Sequence, residues 1–130
     1  RLTGAERLGW LPRPDFRRQL RRARALLLPC GWQEPFGIVG LEALAMGTPV
    51  VVVDSGGTED WSAEGCVHVA RGDLAAMARA IARLGSDAAE ARALGEAGQA
   101  AVARRFARGP LLQRVLEVYR RLLTRRSTGD

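Results

Sequence analysis

Ala25-Leu26-Leu27-Leu28-Pro29 and Pro49-Val50-Val51-Val52-Val53-Asp54 are unbroken apolar runs closed by turn formers. A strand with one wet face alternates apolar and polar residues, whereas a run without alternation suits a parallel strand covered on both faces. Between the two runs, a polar turn at residues 30–33 leads into a helical pattern over residues 37–46, which Gly47 stops. Strand, helix and strand in this order make a crossover unit. Working outward, a third short strand is expected at residues 66–70. Helices are expected at residues 15–24, at 73–84 behind an Asp73 cap, at 87–105, and at 110–125 with Pro110 in first position. Residues 7–10 read as one more short strand, closed by the turn Leu11-Pro12-Arg13-Pro14. The fold class is α/β with a parallel sheet, in one domain over residues 1–130.

Composition narrows the function classes. The chain has 130 residues, of which 47% are hydrophobic, enough for a real core. No apolar run approaches the ~18 to 20 residues that a membrane span needs. The start has no apolar block like that of a signal peptide. It has no Met either, so the chain is expected to be a fragment of a longer protein. Cys30 and Cys66 form no metal-binding or redox pattern, so idle thiols in a reducing, cytoplasmic setting are expected. The net charge is +6 and every basic residue is Arg. Basic chains meet nucleic acid or anionic membranes. Here the Arg residues are spread along helices among Ala and Leu, and aromatics are only 5%, so stacking platforms for bases are scarce and nucleic acid is not expected as a partner. Peripheral contact with an anionic membrane face through Arg17, Arg18, Arg21 and Arg22 ranks ahead of it, behind a plainly solvated helix face.

In an open parallel sheet, ligands bind beyond the carboxyl ends of the strands. Two loops lie there, one after each apolar run. The first leads into a helix near Phe36-Gly37-Ile38 with no Ser, Thr, Asp or Asn at the cap. The leading amides of that helix need an acceptor and carry the positive end of its dipole, so a phosphate suits them unless Gln33 or Glu34 caps them instead. Pro35 presets the entry, and Gly37 permits close approach. Glu34 precedes this helix and Glu42 lies inside it, roughly 8 to 10 Å further along the axis. Carboxylates at such a separation can accept from vicinal hydroxyls at the two ends of a sugar nucleotide while the amides between take its phosphates. Glu42 sits in an otherwise apolar stretch, where a carboxylate is costly unless partnered, and a solvent-facing Glu on an amphipathic helix is the competing reading. His68, in an expected strand, is read as structural.

The stretch from Glu34-Pro35-Phe36-Gly37 through Glu42-Ala43-Leu44-Ala45-Met46-Gly47-Thr48-Pro49-Val50-Val51 resembles the signature of family 4 retaining glycosyltransferases. Its two glutamates are separated by seven residues, and the match continues through Gly56-Gly57, Gly72-Asp73-Leu74, residues 102–106 and Val118-Tyr119. The resemblance implies a two-domain enzyme of the glycosyltransferase B fold with Rossmann-like halves, of which this chain is part of the C-terminal, donor-binding half. It implies a nucleotide sugar as substrate, no cofactor and no metal; an Asp-x-Asp motif that would hold a cation is absent from the sequence. By matched position, Glu34 contacts the donor sugar and is the catalytic candidate. The amides of Phe36, Gly37, Ile38 and Val39 serve the sugar and diphosphate, Glu42 holds the ribose, Trp10 and Leu11 pack on the base, and Gly56 and Gly57 belong to the donor site.

The departures are specific. The family's diphosphate-neutralising Arg and Lys belong to a segment upstream of this chain, Arg1 and Arg7 align elsewhere, and no Lys replaces them. Asp60 stands where the family often has Glu, and no role is carried over to it. The isolated chain is therefore expected to turn over poorly. A non-catalytic nucleotide-binding module, or degenerate fragment, is the alternative, and the acceptor is not readable.

Overall fold

The structure, a computed structural model, describes residues 4–127, with side chains described as far as residue 124; Arg1 lies outside that range. The elements are α1 (Arg13–Arg22), β1 (Leu26–Leu28), α2 (Ile38–Ala45), β2 (Val50–Val53), a 3₁₀ turn (Gly56–Asp60), β3 (Cys66–Val69), α3 (Leu74–Ser86), α4 (Ala88–Arg105) and α5 (Arg108–Ser127). The three strands form a parallel sheet in the order β1-β2-β3, with Leu26 opposite Val50 and Val50 opposite Cys66.

The central strand explains the run of valines. Val50 and Val52 face Leu20, Ala43, Leu44 and Trp61, whereas Val51 and Val53 face Val69, Met77, Ala80, Leu84 and Ala91. Successive side chains of a strand point to opposite faces, so a strand with helices on both sides needs apolar residues at every position. β1 departs from the expectation of burial on both faces. It is the edge of the described sheet, and Leu27 is 39% exposed.

Close approach between helices depends on glycines of α4. A Cβ on Gly95 would lie 2.0 Å from the Gly47 carbonyl oxygen, and one on Gly98 would lie 2.6 Å from Leu44 Cδ2. These contacts seat α4 beneath α2, and Gln99 Nε2 adds a bond of 3.0 Å to the Ala45 carbonyl. α3 and α4 start as read, with the Asp73 carboxylate accepting from the Ala76 amide and that of Asp87 from the Ala89 and Glu90 amides.

Three expectations are corrected. Residues 7–10 are irregular rather than a strand: Gly9 turns the chain at φ 65°, and no neighbouring strand takes up its amides. α1 begins at Arg13 rather than Asp15, because the Pro12 carbonyl accepts from the Asp15 and Phe16 amides while Pro14 occupies the first turn. α5 begins at Arg108, two residues before Pro110, since a first-turn position has no intrahelical bond for proline to lose. The 3₁₀ turn was not foreseen. α5 presents large apolar side chains from Leu111 to Leu123 to solvent. No helix among the described residues is long and apolar enough to cross a membrane.

Candidate functional site

Two loops meet at the carboxyl ends of β1 and β2. The Glu34 amide donates to Ser55 Oγ at 3.3 Å, the Gly57 amide donates to the Glu34 carbonyl at 2.8 Å, and Ser55 Oγ donates in turn to the Trp32 carbonyl. A Cβ on Gly56 would sit 2.4 Å from the Glu34 carbonyl oxygen, and one on Gly57 would sit 2.0 Å from that of Pro35. Gly56 and Gly57 thus let one loop lie on the other, and the Gly57 amide is spent inside the protein.

Gly37 is the cap residue of α2, with φ 75° and ψ 51°. A left-handed backbone favours glycine, so this position is fixed by conformation whatever approaches it. Its amide donates to Glu34 Oε1 at 3.0 Å, and the buried Cys30 thiol lies 3.8 Å from Glu34 Oε2. The acceptor expected from a ligand is therefore supplied for Gly37 by Glu34 itself. The next two amides differ: among the described residues, those of Ile38 and Val39 have no acceptor within the protein. The Phe36 side chain is turned inward, edge-on to Phe106 at 6.5 Å, so Phe36 can offer a ligand only its backbone.

Trp61 supports the start of α2 from beneath. It is 1% exposed, its indole Nε1 donates to the Phe36 carbonyl, and its ring lies against Gly40, where an added Cβ would be 2.0 Å from Cη2. Neither Trp61 nor Ser55 was singled out in the sequence, because their roles depend on contacts across loops.

Glu42 is on the same helix but belongs to a different surface. With Gly9, Trp10, Leu11, Arg13 and Phe16 it lines a cavity of about 490 Å³. Its carboxylate pairs with Arg13 at 2.5 Å, which supplies the partner that its apolar surroundings demanded. Trp10 is 97% exposed, leaving its indole face open. Of the predicted residues, Trp10, Leu11 and Glu42 are thus brought together in one hollow. Glu34, Phe36, Gly37, Gly56 and Gly57 converge at the loop junction, and Ile38 and Val39 open the helix between the two groups. Glu34 does not line the Glu42 cavity.

Cations were missed on both sides. Arg13 stands at the cavity, and Arg71, just after β3, donates to Ser55 Oγ at 3.1 Å. No sequence pattern marks either. His68 has both ring nitrogens engaged, Nδ1 with Asp54 at 2.5 Å and Nε2 with the Ser62 carbonyl at 2.6 Å, which fits a structural role. Burial works against its protonated form. The bonds to Asp54 and Ser62 and the charges of Asp54 and Glu59 outweigh that and raise its pKa. Burial pushes the Cys66 thiol up to about 12, and burial followed by the Glu34 carboxylate raises that of Cys30. Both cysteines are free. Among the described residues, no three His, Cys, Asp or Glu side chains gather as a metal-ligand set.

Comparison with known proteins agrees with this architecture. The chain is 34% identical over 120 residues to the alpha-maltose-1-phosphate synthase of Mycolicibacterium smegmatis, covering 86% of this chain and 31% of that protein. It is 38% identical over 87 residues to a glycogen synthase of Mycobacterium tuberculosis, covering 65% of this chain and 21% of the relative. Sucrose-phosphate synthase from Thermosynechococcus elongatus superposes with a TM-score of 0.81 at 31% identity, over 90% of this chain and 30% of that one. The chain therefore spans about a third or less of the length of these relatives. Residues 5–101 match the family model described as glycosyl transferases group 1. With that match spanning most of its length and the parallel sheet shared with a solved glycosyltransferase, the chain belongs to the group 1 glycosyl transferases.

Proposed function

We propose that this chain is the nucleotide-sugar-binding, C-terminal part of a glycosyltransferase of family 4 that retains anomeric configuration and needs no metal. The observation that carries the reading is the cavity where Trp10 and Leu11 meet Glu42, on a helix whose first two amides, those of Ile38 and Val39, have no acceptor among the described residues. A base stacks on the open Trp10 face, the Glu42 carboxylate accepts from the ribose hydroxyls, and the diphosphate takes the amides at the positive end of α2. Glu34 accepts from the donor sugar at the loop junction. Gly37 and Phe36 shape that junction through their backbones, and Gly56 and Gly57 hold it closed from the second loop.

Chemically, departure of a nucleoside diphosphate requires its developing charge to be stabilised, and an oriented helix end supplies donors that need no reorganisation. The relatives are named as synthases of maltose 1-phosphate, glycogen and sucrose phosphate, which supports a sugar donor and a sugar or sugar-phosphate acceptor. The acceptor side belongs to the part of the relatives that this chain does not cover. Titration calorimetry with UDP, GDP and ADP sugars tests the reading: one nucleotide should bind preferentially, and Glu42→Ala should weaken binding of all three, because the ribose is common to them. Absence of binding by all three would remove it.

A further inference from the structure

We infer that the chain carries a second anion site, suited to a small phosphate-bearing molecule, at the amino-terminal ends of the strands. An open cavity of about 530 Å³ lies there, lined by Arg21, Arg22, Arg24 and Arg92, with Gly47 and Pro49 at its base. Arg24 and Pro49 precede β1 and β2, whereas the loops of the candidate donor site follow those strands. The two sites thus sit at opposite ends of the sheet. α1 reaches from one to the other, with Arg13 at the Glu42 cavity and Arg22 at the basic one, about 13 Å apart along the helix axis.

Three observations point to a phosphorylated ligand. No carboxylate lines the cavity. None of its four arginines forms an ion pair among the described residues, although Arg13, Arg18, Arg83, Arg104 and Arg121 all do; Arg21 reaches only Met46 Sδ, at 3.5 Å. Four like charges around one hollow repel each other, and a multiply charged anion removes that repulsion. Finally, the guanidinium fork matches the geometry of phosphate oxygens, and the volume is in the range of small-molecule sites.

A flat anionic surface fits less well. Of the arginines expected to form a membrane patch, Arg18 is paired with Asp15, and Arg21 and Arg22 line the hollow. The site does not depend on the proposed donor site, and the experiment separates the two.

Pyrophosphate, which carries neither sugar nor base, is titrated into the 130-residue chain at low salt and followed by amide NMR. The expected result is saturable movement of the Gly47, Ala88 and Arg92 amides. Affinity should fall at least tenfold in the double variant Arg22→Gln/Arg92→Gln. Arg24→Gln, which changes an exposed side chain outside the helices, should lower it severalfold and serves if the double variant does not fold. Shifts confined to Ile38 and Val39 would overturn the second site while leaving the donor site standing, and no shifts anywhere would overturn it as well. Unchanged affinity in folded variants would also overturn it. Vesicles containing phosphatidylserine provide the remaining arm. Arginine-dependent binding to vesicles without pyrophosphate binding would replace the small molecule with a membrane.

Discussion

Arg13, in the first turn of α1, holds the carboxylate of Glu42, in the middle of α2, at 2.5 Å across the mouth of a cavity that also contains Trp10. The pair joins two helices far apart in sequence and fixes where the carboxylate points. The Arg13 side chain is 74% exposed and that of Glu42 only 26%, so the glutamate is the more deeply set partner and Arg13 the movable one. On the proposed reading, a nucleotide entering the cavity would meet an oriented acceptor whose cation is free to turn to solvent or toward phosphate.

Removing the carboxylate should therefore affect the nucleotide before the sugar. Glu42→Ala is expected to weaken binding of the free nucleoside diphosphate by about tenfold or more, on the order of 1.4 kcal/mol. Arg13→Ala should have a smaller effect, because it leaves the acceptor in place. Glu34→Ala should leave free-nucleotide affinity within about twofold and change discrimination among sugars, since hydrogen bonds to charged acceptors contribute roughly 1.5 to 3 kcal/mol. Calorimetry with nucleotide and nucleotide sugar reads all three. Equal losses for Glu34→Ala and Glu42→Ala with nucleotide alone would contradict the assigned roles.

A second expectation concerns the floor beneath α2. Replacing Gly40 by Ala gains about 1 kcal/mol of helix propensity, yet its Cβ would lie 2.0 Å from the buried Trp61 ring. Trp61 is fixed by its bond to the Phe36 carbonyl and cannot give way cheaply. Overpacking costs roughly 1 to 3 kcal/mol, so Gly40→Ala should lower stability despite the better helix former. Urea unfolding of Gly40→Ala, Trp61→Leu and the double variant provides the check: the double should be less destabilised than the sum of the singles. Additive losses would mean that the two residues do not meet.

How much of this was legible depended on the range of the forces involved. The valines of β2 and the Asp73 cap are local patterns, and each lies where the sequence indicates. The demand of Glu42 for a partner was also readable, since a carboxylate among Ile38, Leu41 and Leu44 is costly; that the partner is Arg13 was not, because α1 had first to be placed against α2. Residues 7–10 misled because Leu8 and Trp10 alternate with small or polar neighbours as a strand would, whereas both are exposed and Gly9 has positive φ. Gly56 and Gly57 were placed in the donor site by the resemblance alone; that two loops touch at them is a contact that only the Glu34 and Pro35 carbonyls opposite them reveal.

The His68 arrangement makes stability depend on pH in a defined direction. With Asp54 at one ring nitrogen and the Ser62 carbonyl at the other, both N–H groups of the protonated ring have acceptors, and the folded pKa lies above its ordinary value of about 6.5. A group whose pKa is raised by folding stabilises the folded state fully below its unfolded pKa. That contribution is lost as pH rises through the folded value. The urea midpoint should therefore fall as pH rises above the ordinary histidine value of about 6.5 in the native chain, with a shallower fall in His68→Gln. A steeper fall in the variant would reverse the sign of the coupling.

The junction of the two loops gives the most direct link between packing and the candidate chemistry. A Cβ on Gly57 would meet the Pro35 carbonyl oxygen at 2.0 Å and its carbon at 2.9 Å, and these are backbone atoms that no rotamer change can move aside. Gly57→Ala must push the second loop off the first and strain the bond from the Gly57 amide to the Glu34 carbonyl. The stability loss should be roughly 1 to 3 kcal/mol, and Glu34 should shift with its backbone. Gly31→Ala, in the same first loop but with nothing within 4 Å of the new methyl, should stay within about 0.5 kcal/mol of the native chain. If Glu34 reads the donor sugar from this junction, Gly57→Ala will narrow the difference in affinity between nucleotide sugar and free nucleotide, while Gly31→Ala preserves it. A variant that keeps that difference after the loops have separated would show that sugar recognition lies elsewhere.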